Sequence, residues 1–217
     1  MDIGYILTVI GVVLASMMLH ELMHGFVAYK LGDDTARLLG RLSFNPLKHI
    51  DPFMTVLLPV LIAVTNMLTG SSMPIFGGAK PVPFNPANIK YDEWGVALVA
   101  LVGPLVNLLI AFLAYAALAL TGQLSSWSGV GQILWTFVGV NLGFFVFNML
   151  PIPPLDGSRV LYALAPDFVR RGMEMIEQYG TIVVLAFVLF FTGFISNYMA
   201  TAISLIVGGF ARILGLH

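Results

Sequence analysis

Cysteine is absent from this chain of 217 residues, and charged residues make up only 10% of it. The missing thiols exclude disulfide-stapled domains, thiolate zinc sites, iron–sulfur clusters and cysteine nucleophiles. The net charge of −1 leaves no excess of basic residues, so we expect no nucleic-acid partner. Any bound metal must therefore use His, Asp or Glu, and the chain has only four histidines.

Apolar residues, by contrast, make up 59% of the chain, and the mean hydropathy is +0.93. Soluble domains are about 45–50% apolar and about 25% charged. A globule of this size could not bury so much apolar surface away from water. The composition predicts an integral membrane protein in a lipid bilayer, with one domain over residues 1–217.

Several apolar stretches approach the roughly 20 residues that a membrane span needs. They are Ile3–Leu31, Pro52–Leu68, Trp94–Leu120, Val130–Leu150 and Thr181–Leu214. The second is short and contains Pro59, which favours a re-entrant or interfacial segment. The last is broken near residues 193–197, so it is two crossings or one crossing plus an interfacial helix. We expect an all-α polytopic fold in the cell membrane.

Basic residues predict the orientation of these spans, because they collect in cytoplasmic connections. Lys30, Arg37, Arg41 and Lys48 follow the first span, whereas Arg159, Arg170 and Arg171 follow the fourth. The connection 121–129 carries no charge. The ends of both basic-flanked spans are therefore predicted to face the cytoplasm. The alternating residues of 35–44 also suggest a short β element at that membrane surface.

The first span contains the motif His20-Glu21-Leu22-Met23-His24. Residues at i and i+4 share one face of a helix, so both imidazoles can reach one Zn²⁺. Glu21 lies beside them and can act as a general base towards a water molecule. Ionisable groups within a span are costly and are a functional-site hypothesis by default. The motif predicts a zinc site within the membrane.

A catalytic zinc site usually has three protein ligands, so a third is required here. Lys30 stands where a third His of an extended motif would be. The remaining candidates are acidic residues, namely Asp33, Asp34, Asp51, Asp92, Glu93, Asp156, Glu174 and Glu177. Asp156 is favoured because it follows the Pro-rich end of the fourth span, at the depth and on the side of His24. As an alternative, Asp156 is a helix N-cap.

Three motifs in this order resemble the site-2 protease family of intramembrane zinc metalloproteases. They are the His20–His24 motif, the element Gly103-Pro104-Leu105-Val106-Asn107, and the run from Asn148 through Pro151 to Leu155-Asp156-Gly157. The closest likeness is to the compact bacterial and archaeal type without PDZ or CBS domains. Asn107 itself is expected to pack between spans, with a position near the site as the alternative.

The resemblance implies a three-span catalytic core with additional C-terminal helices. It implies one Zn²⁺ per chain, held by His20, His24 and Asp156, with Glu21 as general base and Asn148 helping to stabilise the oxyanion. The expected reaction is peptide hydrolysis in transmembrane protein substrates, in a site that opens towards the cytoplasm. A zinc transporter and a non-proteolytic scaffold are the alternatives. A transporter is disfavoured because the other spans have almost no acidic or histidine side chains that could form a path for the ion. A scaffold is disfavoured because zinc ligation alone would not require Glu21.

Overall fold

A computed structural model describes residues 3–45, 48–49, 51 and 80–216 of the chain. The re-entrant or interfacial segment predicted at Pro52–Leu68 lies outside the described residues. The long helices are α1 (Ile3–Lys30), α3 (Asp92–Leu120), α4 (Gly129–Asn148) and α8 (Thr192–Ile213). The shorter helices are α2 (Thr35–Leu38), α5 (Asp156–Leu164), α6 (Asp167–Glu177) and α7 (Gly180–Phe190), with a 3-10 turn at Pro86–Asn88.

Helix α3 lies at the centre of the described part, in contact with α1, α4, α5 and α8. One of its faces is buried and rich in small residues, among them Ala97, Ala100, Gly103 and Ala111. Small side chains let neighbouring helices approach closely within a membrane. Exposed leucines at positions 98, 105, 109 and 113 form a stripe on another face. The helix therefore has one packing face and one face suited to lipid.

A hydrophobic cluster joins the far halves of α3 and α4 to α8. Leu118 and Leu142 are fully buried within it, and Phe210 of α8 stacks edge-on against Phe112 and lies beside Tyr115. Large aromatic side chains contribute most of the packing area in such clusters. The C-terminal helix is thus attached to the bundle at the end away from the motif of α1.

Four described helices, α1, α3, α4 and α8, are long and apolar enough to cross a membrane. Helices α6 and α7 meet at 92° and qualify only if the bent pair counts as one span. The predicted helical membrane fold is confirmed at this level. The break in the C-terminal region falls at Phe191, slightly before the predicted position, and the two helices on either side stay separate.

The predicted β element at 35–44 is wrong, because the chain there forms the single helical turn α2. The Asp33 carboxylate accepts hydrogen bonds from the backbone N and from Oγ1 of Thr35, which favours a helical start. Gly40 has a φ of +63° and ends the turn, after which the Arg41 amide donates to the Ala36 carbonyl. Local hydrogen bonds on both sides of the turn outweigh the alternation, and no described residue forms a strand.

A segment that we call the strap, residues 80–88, crosses α1 near its motif. Its first residues are non-helical, as its prolines predict. Val82 is buried against Gly25, where an added Cβ would lie 2.7 Å from the valine side chain. Arg41 donates to the carbonyl oxygens of Lys80 and Pro81. The strap therefore lies tightly on α1, beside Glu21.

Candidate metal centre

The two motif histidines project from α1 towards α3, and each is only 7% exposed. Their ring centroids are 4.6 Å apart, with the ring planes at 81°. Gly103 of α3 faces them directly: an added Cβ would collide with Nε2 of His24 and lie 2.7 Å from Nε2 of His20. The absence of a side chain at this position leaves room for both Nε2 atoms.

Each imidazole has its Nδ1 atom occupied by an oxygen atom. Nδ1 of His24 lies 2.7 Å from the carbonyl oxygen of Val99, and Nδ1 of His20 lies 2.5 Å from Oδ1 of Asn107. A carbonyl oxygen can only accept, so each Nδ1 must carry a hydrogen. The other nitrogen, Nε2, then presents a lone pair, which is the form of histidine that binds a metal.

The third member of the cluster, Asp156, is the first residue of α5. Its Oδ2 atom lies 3.1 Å from Nε2 of His20 and 3.4 Å from Nε2 of His24. Gly157 allows this approach, since an added Cβ would collide with the Met149 carbonyl group and lie 2.8 Å from the Leu150 carbonyl oxygen, just after α4. The Pro-rich turn after α4 thus brings a carboxylate back to the motif.

These three side chains fit a zinc ion. Among the described residues, no other group of three or more His, Cys, Asp or Glu side chains could hold a metal ion. The ligand atoms of this group lie within 4.8 Å of one another. Tetrahedral zinc with ligand distances of about 2.0–2.2 Å separates its ligand atoms by roughly 3.3 Å. The observed 3.1 and 3.4 Å agree with that separation. When both Nε2 atoms are unprotonated, their lone pairs and the Asp156 carboxylate repel one another, and a bound cation removes that repulsion.

Glu21 and Asn148 line the same cleft, which has a volume of about 250 Å³. The backbone N–H of Val82 donates to Oε2 of Glu21 at 2.8 Å, which fixes that carboxylate beside the cluster. Nδ2 of Asn148 donates to the Phe144 carbonyl oxygen at 3.0 Å, using one of its two hydrogens. The cleft is otherwise lined mainly by apolar groups, namely Pro81, Val82, Phe84, Ala100, Pro154 and Leu155.

Three buried polar residues, Ser16, Asn107 and Asn141, lie behind the cluster and are connected to His20 by hydrogen bonds. Asn107 does connect spans, because its Nδ2 donates to Oδ1 of Asn141 at 2.8 Å, but its Oδ1 also reaches His20. No role was predicted for Asn141 or Ser16 from the sequence. Their position could have indicated one, because a polar side chain inside an apolar span is costly unless it has a hydrogen-bond partner.

The cleft adjoins a charged region formed by the starts of α3 and α5 and by residues along α6. Arg159 lines the cleft and forms an ion pair with Glu177, while Arg170 pairs with Glu93 at 3.5 Å. These pairs connect α6 to α5 and α3. Partly exposed pairs contribute little stability, about 0–1 kcal/mol each. Glu93 and Glu177, both considered as third ligands, are thus engaged elsewhere.

The chain matches the sequence profile of peptidase family M50 over residues 8–127 and 119–192. It is 42% identical over 185 residues to the "Putative zinc metalloprotease YwhC" of Bacillus subtilis, covering 82% of this chain and 78% of the relative. It is 32% identical over 188 residues to Rip2 of Mycolicibacterium smegmatis, which bears the same description, covering 84% and 67%. No solved structure matches the chain.

The chain belongs to peptidase family M50, the site-2 protease family of intramembrane zinc metalloproteases. The predicted family is therefore confirmed, and so are a zinc cofactor and a multi-pass membrane character. The particular roles of the five site residues stay predictions, which the geometry above supports.

Proposed function

We propose that this chain is a zinc endopeptidase of the HExxH type that cleaves transmembrane protein substrates, with the zinc ion held by His20, His24 and Asp156. The observation that carries the proposal is the meeting of three ligand atoms from α1 and α5 at separations that suit tetrahedral zinc. When bound there, zinc supplies Lewis-acid chemistry, which makes a water molecule more acidic and a carbonyl carbon more electrophilic.

Glu21 is the general base and then the general acid. It accepts a proton from the attacking water and delivers it to the amine nitrogen as the peptide C–N bond breaks. Val82 supports this role because its amide fixes one carboxylate oxygen and leaves the other for water. Asn148 is the candidate oxyanion donor, because Nδ2 has a second hydrogen and the residue lines the cleft.

The catalytic core in this proposal consists of α1, α3 and α4. The first carries both histidines and Glu21, the second supplies the surface against which the imidazoles are oriented, and the third ends at Asn148. The basic connections after α1 and α4 favour a cytoplasmic opening of the cleft and a cell-membrane location. The substrate is a membrane-spanning segment that must unwind locally, because helical amides are otherwise shielded.

The test uses detergent-purified full-length protein and a single-span substrate. Glu21→Gln should keep the wild-type zinc content and lose cleavage by about 10²–10⁴-fold. Asp156→Asn should lose zinc and cleavage together. Asp34→Asn removes a carboxylate whose side chain is 56% exposed, and it should leave both unchanged. A chelator should abolish wild-type cleavage, and added Zn²⁺ should restore it.

Three results would contradict the proposal. A wild-type protein that holds zinc but never cleaves would indicate a scaffold. A Glu21→Gln variant with undiminished cleavage would show that another group carries the proton. Transport of Zn²⁺ across proteoliposomes that survives Glu21→Gln would indicate a transporter.

A further inference from the structure

A chain of buried hydrogen bonds runs from His20 through three spans to a backbone carbonyl. Nδ1 of His20 meets Oδ1 of Asn107, whose Nδ2 donates to Oδ1 of Asn141. Nδ2 of Asn141 donates to Oγ of Ser16 at 2.9 Å and to the carbonyl oxygen of Phe137 at 2.9 Å. Ser16 is 1% exposed, and both asparagines are fully buried. Water therefore cannot replace any of these partners.

The Phe137 end of this series of hydrogen bonds determines which atom donates and which accepts in every bond of the series. The Phe137 carbonyl oxygen can only accept, so the Asn141 amide must turn its NH₂ group towards it. Oδ1 of Asn141 then faces Asn107 and must receive a donor. The Asn107 amide accordingly points its NH₂ group at Asn141 and its Oδ1 atom at His20, which requires a hydrogen on Nδ1 of His20.

The two histidines therefore obtain the same tautomer by different means. His24 faces the backbone carbonyl of Val99, which cannot be reversed. His20 faces a side-chain amide, and a reversed Asn107 would present NH₂ to Nδ1 and move the imidazole hydrogen to Nε2. That form has no lone pair for a metal. A reversed Asn107 is excluded only because its Oδ1 would then face Oδ1 of Asn141.

We propose that Asn141 is a positioning residue that maintains the metal-binding tautomer of His20 through Asn107. This inference deepens the proposed function and rests on His20 as a zinc ligand. Asn141 touches neither the cluster nor the cleft, so its effect is expected on zinc affinity and on the imidazole tautomer. Groups that orient a metal-bound histidine typically change metal affinity by about 10–100-fold.

The experiment measures the zinc dissociation constant of detergent-purified full-length protein by competition with a chromophoric chelator. Asn141→Leu, which is close to Asn in shape, should weaken zinc binding by about 10–100-fold while thermal unfolding still shows a folded protein. If this variant does not fold, Asn141→Met serves instead, because its flexible side chain adapts to the space. Ser16→Ala is the matched control. It removes a buried hydrogen-bond partner of Asn141 but keeps the Phe137 carbonyl, which determines the orientation of the Asn141 amide. This variant should bind zinc as wild type does.

A rescue variant and a spectroscopic measurement separate this role from packing. Asn107→Asp added to Asn141→Leu should restore affinity, because a carboxylate has only acceptor atoms and needs no neighbour to orient it. In zinc-saturated protein labelled with ¹⁵N-histidine, the Nδ1–H hydrogen of His20 should exchange slowly with solvent in wild type and faster in Asn141→Leu, because a reversed Asn107 no longer accepts from it. The His20→Gln spectrum identifies the signals.

Wild-type zinc affinity in a folded Asn141→Leu or Asn141→Met variant would overturn the inference. So would an equal loss in Ser16→Ala, because that would indicate general loosening of the bundle. If wild type itself binds no zinc, the proposed function fails first. If wild type binds zinc and the Asn141 variants bind it equally, only this inference fails.

Discussion

The backbone amide of Val82 donates a 2.8 Å hydrogen bond to Oε2 of Glu21, a residue 61 positions earlier in the chain. The strap that carries Val82 has its own attachments, to Arg41 and, through the amide of Asn85, to Asp33. Glu21 is therefore oriented by a segment anchored to the end of α1 and to the turn that follows α2. A change in the strap should alter catalysis without touching a metal ligand.

Val82→Pro is expected to lower kcat by roughly tenfold to a hundredfold and to leave the zinc content unchanged. Proline has no backbone N–H, so Glu21 loses a hydrogen bond worth about 1.5–3 kcal/mol for an ionised acceptor. The residue lies between Pro81 and Pro83, where an extended backbone is already favoured. Val82→Ala is the control, because it keeps the N–H and shortens only the side chain. Steady-state cleavage of the single-span substrate, with metal analysis, compares the two, and equal losses of kcat would contradict the expectation.

Asn148→Leu is expected to lower kcat by about 10²–10³-fold, the usual effect of removing one oxyanion donor. Asn148→Asp should lose as much, because a carboxylate has the same shape and no donor hydrogen. Zinc content should stay at the wild-type level in both variants, since Asn148 contributes no atom to the cluster. Cleavage rates at saturating substrate provide the measurement. If the Asn148→Asp variant kept wild-type kcat, the side chain would have only a packing role.

The motif histidines show how much of the site the sequence could predict. Helical periodicity brings His20 and His24 onto one face, and the depth of the Pro-rich end of α4 selects Asp156 from eight acidic candidates. The hydrogen-bond partners of the two Nδ1 atoms could not be predicted from the sequence, for two reasons. The acceptor at Val99 is a backbone carbonyl, which any residue could supply, and the partnership of Asn107 with His20 depends on how α1 and α3 cross.

The segment after α1 shows where the sequence argument failed. Alternating polar and apolar residues in 35–44 favour a strand, but periodicity over so few residues is weak evidence. The decisive interaction is between Asp33 and Thr35, together with the left-handed conformation of Gly40. The hydrogen bond between Asp33 and Thr35 is local and could have been anticipated, whereas the burial of Asp33 under the strap depends on tertiary structure.

Gly103→Ala is expected to weaken zinc binding and to lower the unfolding temperature. The new methyl group would lie 2.7 Å from Nε2 of His20 and in collision with His24, so the rings or α3 must move. Overpacking of this kind costs about 1–3 kcal/mol. Gly139→Ala in α4 is the control, because no atom lies within 4 Å of its added Cβ and alanine favours helix. Zinc affinity is measured by chelator competition, and the unfolding temperature is measured in detergent. If Gly103→Ala had the same zinc affinity and the same unfolding temperature as Gly139→Ala, this prediction would be contradicted.

Asp33→Asn is expected to destabilise the folded protein by about 1.5–3 kcal/mol, the contribution of a hydrogen bond to a charged group. Burial alone would raise the pKa of Asp33, but hydrogen bonds from Thr35, Asn88 and Asn85 outweigh it and lower the pKa from 3.8. Because the folded-state pKa is below the unfolded-state value, the carboxylate contributes its full stability above about pH 4. That contribution is lost as the pH falls through the folded-state pKa.

Thermal unfolding of the detergent-solubilised protein checks this prediction. The difference in unfolding temperature between wild type and Asp33→Asn should be largest near neutral pH and should shrink as the pH is lowered below about 4. Asp34→Asn is the matched neighbour, because the Asp34 side chain is 56% exposed and pairs with Arg37, an interaction worth about 0–1 kcal/mol. If the Asp33 difference stayed constant down to about pH 2, or if the two variants lost the same stability, the buried carboxylate would not be what attaches the strap to the end of α1.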